Sequence, residues 1–344
     1  MAVCEYPLLS MSITLNLSLL FADYWQIVGY NPVYFPYELH IIGGYENPRK
    51  HYTLMLDSGI TNAYEDLEVD VYGSRGATIY ETNIVYFMSD YFAAYNLTSN
   101  NLQYFTSAQN GGQIASLQQP LLSVQDEPCL ATNQTHIFLL GSFLCFSISL
   151  DEKYIFQIYD LSKDKWSIGP SFDIPRCHST CEYLSHQRTL YVIGGSSDIV
   201  NETFTSTVEV LDMTTMSDGN DKGSQWRVLA SELNAALSSH SSVVVKDEFI
   251  YIMGGVSQQP NNNLMYLSSS IQVLDSNTDQ IHSLSTCAQM QVSRYGHRAV
   301  YQPLWPDRLW AFGGWRFDTV SVIEVSNVLN LSVHGEQSYT HTHK

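Results

Sequence analysis

An all-β chain closed into a six-bladed propeller is the expected fold of these 344 residues, on three grounds. Near-copies of one apolar stretch, Leu190-Tyr191-Val192-Ile193-Gly194-Gly195, recur at residues 39–44, 250–255 and 309–314. Each reads as a short strand buried on both faces and halted by two glycines, which accept backbone angles and close approaches denied to residues with a Cβ. The copies repeat with a period of roughly 50 residues, the signature of a propeller rather than of two unrelated domains. Finally, 44% apolar and 15% charged residues, with 23 tyrosines, suit a large β-rich core.

Taken in order, the first blade holds residues 39–44 and 51–56, with 64–72 as its fourth strand by elimination. The second keeps the strand rhythm at 84–89, 93–98 and 102–105 but lacks both glycines. The third has 137–142, with Ser142 in place of the second glycine, and a closing pair around Tyr159-Asp160 and Trp166. In the fourth, Arg176-Cys177-His178-Ser179 leads into a first strand, followed by 189–195, 207–212 and 225–229 with Trp226. The fifth runs through 240–245, 249–255, 270–275 and 280–284 without its tryptophan. The sixth has 295–302, 309–314 and 319–325 but no Trp-bearing fourth strand. Tyr24-Trp25-Gln26-Ile27-Val28 is expected to complete it, so that an N-terminal strand closes the ring and hides its free edges. Second strands end near Gly44, Ser89, Ser142, Gly195, Gly255 and Gly314, at intervals of 45, 53, 53, 60 and 59 residues, hence six blades. Residues 1–22 are then an N-terminal arm or vestigial targeting segment, 23–332 the propeller, and 333–344 a disordered tail.

The pattern of apolar strand, Gly-Gly, a strand ending in Asp, then Trp after a turn is carried by Gly194-Gly195, Leu211-Asp212 and Trp226, and again by Tyr159-Asp160 and Trp166. In these residues the chain resembles the Kelch-repeat β-propellers, strongly from about 126 to 328. The resemblance implies a rigid ring in which the loops after the second strands and the inter-blade connections open on one face. It also implies a non-catalytic interaction module, since most similar proteins are of that kind.

The charge balance of 34 acidic against 16 basic residues gives -18, which repels phosphate backbones and makes nucleic acid an unsuitable partner. Six cysteines in a chain this long are too sparse and irregular for a disulfide framework, and none have zinc spacing. Cys177 and Cys181 lie about 13 Å apart if extended, too far to bond to each other. No apolar run is long enough to span a bilayer. The stretch 13–22 lacks a positive n-region, the first basic residue being Arg49, so the cytoplasm is favoured over secretion. Five Asn-x-Ser/Thr triplets (Asn16, Asn96, Asn133, Asn201, Asn330) remain compatible with secretion, and a glycan on Asn201 would shield the loop face.

His178, His240 and His297 sit at matching points of first strands, so they belong to three blades and serve structure, each bonding a neighbouring strand through a ring nitrogen. No metal or cofactor is expected. Copper oxidases similar to galactose oxidase share the superfamily, but none of their site residues map onto this sequence; a sugar-isomerising propeller similar to the mutarotases would use central-channel Arg with Glu or His for binding and proton transfer. Basic residues are scarce, yet Arg49, Lys50, Arg176, Arg294 and Arg316 fall in the connections that would share one rim, with Tyr45, Tyr266 and Trp315 beside them. Arginine with aromatics is the composition of binding hot spots. Arg176 and Arg294, which precede His by two and three residues, have an equal claim to a structural role. The expected function is recognition of a protein partner or extended peptide, acidic segments included, on that face; the alternative is a secreted carbohydrate-active or sugar-binding propeller.

Overall fold

The computed structural model describes residues 26–28, 38–42, 49–55, 60–68, 75–79, 84–88, 92–96, 101–104, 129–133, 135–141, 155–163, 165–171, 174, 176–198, 203–214, 225–258, 264–284, 289–302, 308–315 and 325–330. Among them are strands and turns but no helix, and the strands form antiparallel sheets in the manner of a β-propeller-like fold.

Six main sheets follow one another along the chain. The first orders Gln26–Val28, Glu38–Ile42, His51–Met55 and Thr61–Ala63 side by side, and the second Arg75–Ile79, Ile84–Met88, Phe92–Asn96 and Asn101–Tyr104. The third comprises Cys129–Thr132, His136–Gly141, Ile155–Asp160 and Lys165–Ile168; the fourth Thr180–Leu184, Thr189–Ile193, Val208–Asp212 and Arg227–Val228. The fifth holds Ser241–Val245, Phe249–Met253, Ile271–Asp275 and Gln280–Ser283, and the sixth Arg298–Gln302, Arg308–Phe312 and Val325–Asn330. The first strands of successive sheets lie against one another from the first sheet to the sixth, and Gln26–Val28 also touches Arg298–Gln302.

The expected strands of the second to fifth sheets are found within a few residues, while three expectations at the ends are corrected. Gln26–Val28 pairs with Glu38–Ile42, Ile27 opposite Ile41, and so is the first strand of the first sheet rather than the last strand of the sixth. Trp25 itself lies outside the described residues. The fourth strand of the first sheet is Thr61–Ala63, Tyr52 opposite Ala63, rather than 64–72. The third strand of the sixth sheet is Val325–Asn330 rather than 319–325.

The core lies between sheets, as fully apolar strands require. Phe138, Phe156, Leu190, Val192, Leu211 and Trp226 pack the third sheet on the fourth. Tyr191, Ile193, Val210, Ile250 and Ile252 join the fourth to the fifth, and Met253, Ile271, Leu309 and Ala311 the fifth to the sixth. Each such large side chain, removed from water, contributes about 1.5 to 3 kcal/mol. The repeat tryptophan has a specific duty: Trp226 meets Phe156 edge-on at 5.8 Å and its indole N–H donates to the Pro170 carbonyl at 2.8 Å, tying the outer strand of one sheet to the exit of the one before.

A disulfide joins Cys129 to Cys181, on the first strands of the third and fourth sheets, and Cys177 is disulfide-bonded as well. This overturns the expectation that the cysteines are too sparse and irregular for a disulfide framework. Their separation of 52 residues is one repeat, which puts two first strands within reach. A loop of that length is worth about 4 kcal/mol in chain entropy.

Candidate interaction face

The end of each sheet that carries Gly-Gly is assembled from three recurrent contacts. After the second glycine the chain pairs with the residue that enters the same sheet: Ser196 with Cys177, Val256 with Ser238, Trp315 with Tyr295. The following residue, His178, Ser239 or Gly296, has a positive φ of 52°, 51° or 65°. The next one, Ser179, His240 or His297, rests on the second glycine, so closely that a Cβ on Gly195, Gly255 or Gly314 would lie 2.9, 2.8 or 2.8 Å from its own Cβ. His178 is therefore one position out of register with the other two histidines, and Ser179 takes their place in the fourth sheet.

Neighbouring sheets are joined at the same level. Gly195 N–H donates to the Leu237 carbonyl at 2.7 Å and Gly255 N–H to that of Arg294 at 2.8 Å. His240 Nε2 lies 2.9 Å from Thr180 Oγ1 of the preceding sheet, as a structural histidine should. His297 differs: it is fully buried, neither ring nitrogen has a hydrogen-bond partner among the described residues, and burial with the nearby Arg294 and Arg298 charges holds it neutral. No group of three metal-binding side chains is found among the described residues.

The eight residues expected to form a binding rim separate into different populations. Arg176 is fully buried: Nε donates to Glu209 Oε2 at 2.9 Å, Nη1 to the carbonyls of Gly194 and Thr207 at 2.7 and 3.0 Å, and Nη2 to Thr207 Oγ1 at 2.7 Å. Arg294 is fully buried too, with Nη1 on the Gly313 carbonyl at 3.0 Å. Both are withdrawn from the rim and hold the Gly-Gly turn from beneath. Lys50 places Nζ at 2.7 and 2.9 Å from the two Asp66 carboxylate oxygens, which raises its pKa. Arg49 is exposed, Trp315 is half-buried in its bridge with Tyr295, and Tyr45 and Arg316 lie outside the described residues.

Tyr266 keeps company the sequence reading did not name. It belongs to Met265–Leu267, the outer strand of a small sheet with Val256–Gln258 and Leu237–Ser238, built on the second-to-third-strand connection of the fifth sheet. Leu264, Met265 and Tyr266 are exposed by 61%, 42% and 40%, three consecutive large apolar side chains in water. The signal was present as an apolar triplet after the polar run Gln258-Gln259-Pro260-Asn261-Asn262-Asn263.

One titratable group stands apart. Glu182, on the first strand of the fourth sheet, accepts from Ser242 Oγ of the fifth at 2.6 Å, and burial pushes its carboxyl up to about 7 despite that hydrogen bond.

In comparisons with known proteins, the sequence matches no family model and no curated protein. The fold does match solved structures. The structure of YjhT superposes with a TM-score of 0.62 at 11% sequence identity, covering 90% of this chain and 93% of that one. At that identity the likeness extends to the fold alone.

Proposed function

We propose that this chain is a six-bladed Kelch-type β-propeller that recognises a protein partner or extended peptide on its Gly-Gly face, without catalysis. The blade count is supported by six successive first strands in contact, with Gln26–Val28 against Arg298–Gln302 closing the circle. The observation that carries the function is the exposed triplet Leu264, Met265 and Tyr266 at a hairpin braced by one further strand, Leu237–Ser238. Apolar side chains grouped in water on a rigid support mark interaction sites, and Met and Tyr are enriched there. Arg49, exposed on the corresponding connection of the first sheet, supplies a cation for a carboxylate of the partner.

The test is affinity purification from native cells with wild type and with two variants, Met265→Asp/Tyr266→Ala and Arg49→Glu/Arg316→Glu, compared by quantitative mass spectrometry. Specific partners should be lost while stability stays within about 0.5 kcal/mol, as for surface sites. The same partners recovered with both variants would overturn the reading.

A second, catalytic reading has Glu182 behind it, since a carboxyl protonated near neutrality suits proton transfer to a small polyol or sugar. It requires saturable sugar binding that Glu182→Gln weakens.

A further inference from the structure

We propose that Asn133 carries an N-linked glycan, added as the chain passes through an oxidising secretory compartment. Two independent observations meet at this turn. The first is redox: Cys129, four residues earlier, is bonded to Cys181, and Cys177 is disulfide-bonded too. Disulfides of this structural kind persist in the secretory route and are rare in the cytosol. Their presence outweighs the missing positive charge before residue 13, on which the cytoplasmic expectation stood.

The second is the geometry of the triplet Asn133-Gln134-Thr135, in the turn between Cys129–Thr132 and His136–Gly141. Asn133 Oδ1 accepts from the Thr135 N–H at 2.8 Å, the Thr135 hydroxyl at 3.0 Å and the His136 N–H at 2.6 Å. Two of those donors are backbone amides, so the oxygen is fixed as the inward atom and Nδ2 as the outward one. No hydrogen bond of Nδ2 is found among the described residues, and Asn133 is half-buried rather than enclosed. Thr135 is exposed. A sugar on Nδ2 thus breaks no contact of the folded turn.

In the transfer, Nδ2 attacks C1 of a lipid-linked diphospho-oligosaccharide. The Nδ2–C1 bond forms, the C1–O bond to the diphosphate breaks, the diphospholipid leaves with the electron pair, and one Nδ2 proton passes to a base of the transferring enzyme. The turn joins first to second strand, at the end of the sheet opposite its second-to-third connection. A glycan there leaves the proposed partner face uncovered, and the inference does not depend on that face binding anything.

The experiment is peptide mapping of the full chain purified from its own cells, without reduction, after peptide-N-glycosidase treatment in ¹⁸O-water. Residue 133 should be recovered as ¹⁸O-labelled Asp, and Cys129 and Cys181 in one cross-linked peptide. Unmodified Asn133, or free thiols at Cys129 and Cys181, would overturn the proposal. Thr135→Ala removes the acceptor triplet but keeps both backbone bonds to Oδ1, whereas Thr135→Ser keeps the triplet. Expressed in one secretory host, the first should lose the label at 133 and the second retain it; label surviving Thr135→Ala, or lost from Thr135→Ser, would equally overturn it.

Discussion

Replacing Arg176 with Met should weaken folding by about 3 to 5 kcal/mol, although a reading from sequence could place this arginine on a binding surface. The guanidinium and the Glu209 carboxylate are both fully buried and 2.9 Å apart. Removing one partner of such a pair leaves a charge in a medium that solvates it poorly, the origin of that magnitude. The carbonyls of Gly194 and Thr207 also lose a donor, at about 1 to 3 kcal/mol each where water cannot replace it. The double variant Arg176→Met/Glu209→Leu separates the two contributions. It removes the stranded charge, so it should recover much of the loss and leave mainly the carbonyl term. Equilibrium chemical denaturation followed by tryptophan fluorescence measures both. A single variant within about 0.5 kcal/mol of wild type, the value for a surface site, would refute the buried-anchor account. A double variant no more stable than the single one would refute the role given to Glu209.

Two further outcomes follow from the same framework. Gly254→Val should cost about 2 to 5 kcal/mol, because φ there is +62° and the new Cβ would lie 2.8 Å from the Arg294 carbonyl oxygen and 2.7 Å from His297 Cε1; a native thermal midpoint would show that the junction is not so tightly packed. Glu182, pushed up to about 7 from its ordinary 4.5, keeps in the folded state a proton that the unfolded chain has already released, so stability should fall as pH rises from about 4.5 through about 7 and then level off. Glu182→Gln should flatten this part of the midpoint-against-pH profile, and superimposable profiles would show that the carboxyl titrates normally.

The middle of the fold was legible because its signals are local. Gly194-Gly195 and Gly254-Gly255 punctuate strands whose two faces are both buried, so apolar run and stop are written in one stretch. Strand pairing at the ends was not, because Gln26–Val28 is short, with only Ile27 and Val28 apolar, and nothing in three residues separates a first strand from a fourth. The histidine register failed by one position because the sequence distance from Arg to His differs between Arg176–His178 and Arg294–His297, and only the bridges Cys177 to Ser196 and Tyr295 to Trp315 show which residues are equivalent. Arg176 could not be sorted from Arg49 by type; its partner Glu209 is 33 residues away, on the third strand. The disulfide could have been found, since Cys129 and Cys181 stand one repeat apart, but that inference needs the repeat to be established first.

The clamped glycines have a consequence for engineering. Where the Ser196–Asp198 and Thr203–Phe204 hairpin and its counterpart at Val256–Gln258 leave their main sheets, the amides of Gly195 and Gly255 are fastened to carbonyls of the adjoining sheet. The root of each hairpin is thus fixed by atoms that belong to no hairpin residue. Lengthening a loop between fixed ends costs only about 0.6 kcal/mol per doubling. Foreign peptides spliced between 198 and 203, or between 258 and 265, would be carried on fixed roots by a frame that does not read their sequence, which makes this stack of sheets a natural chassis for peptide display.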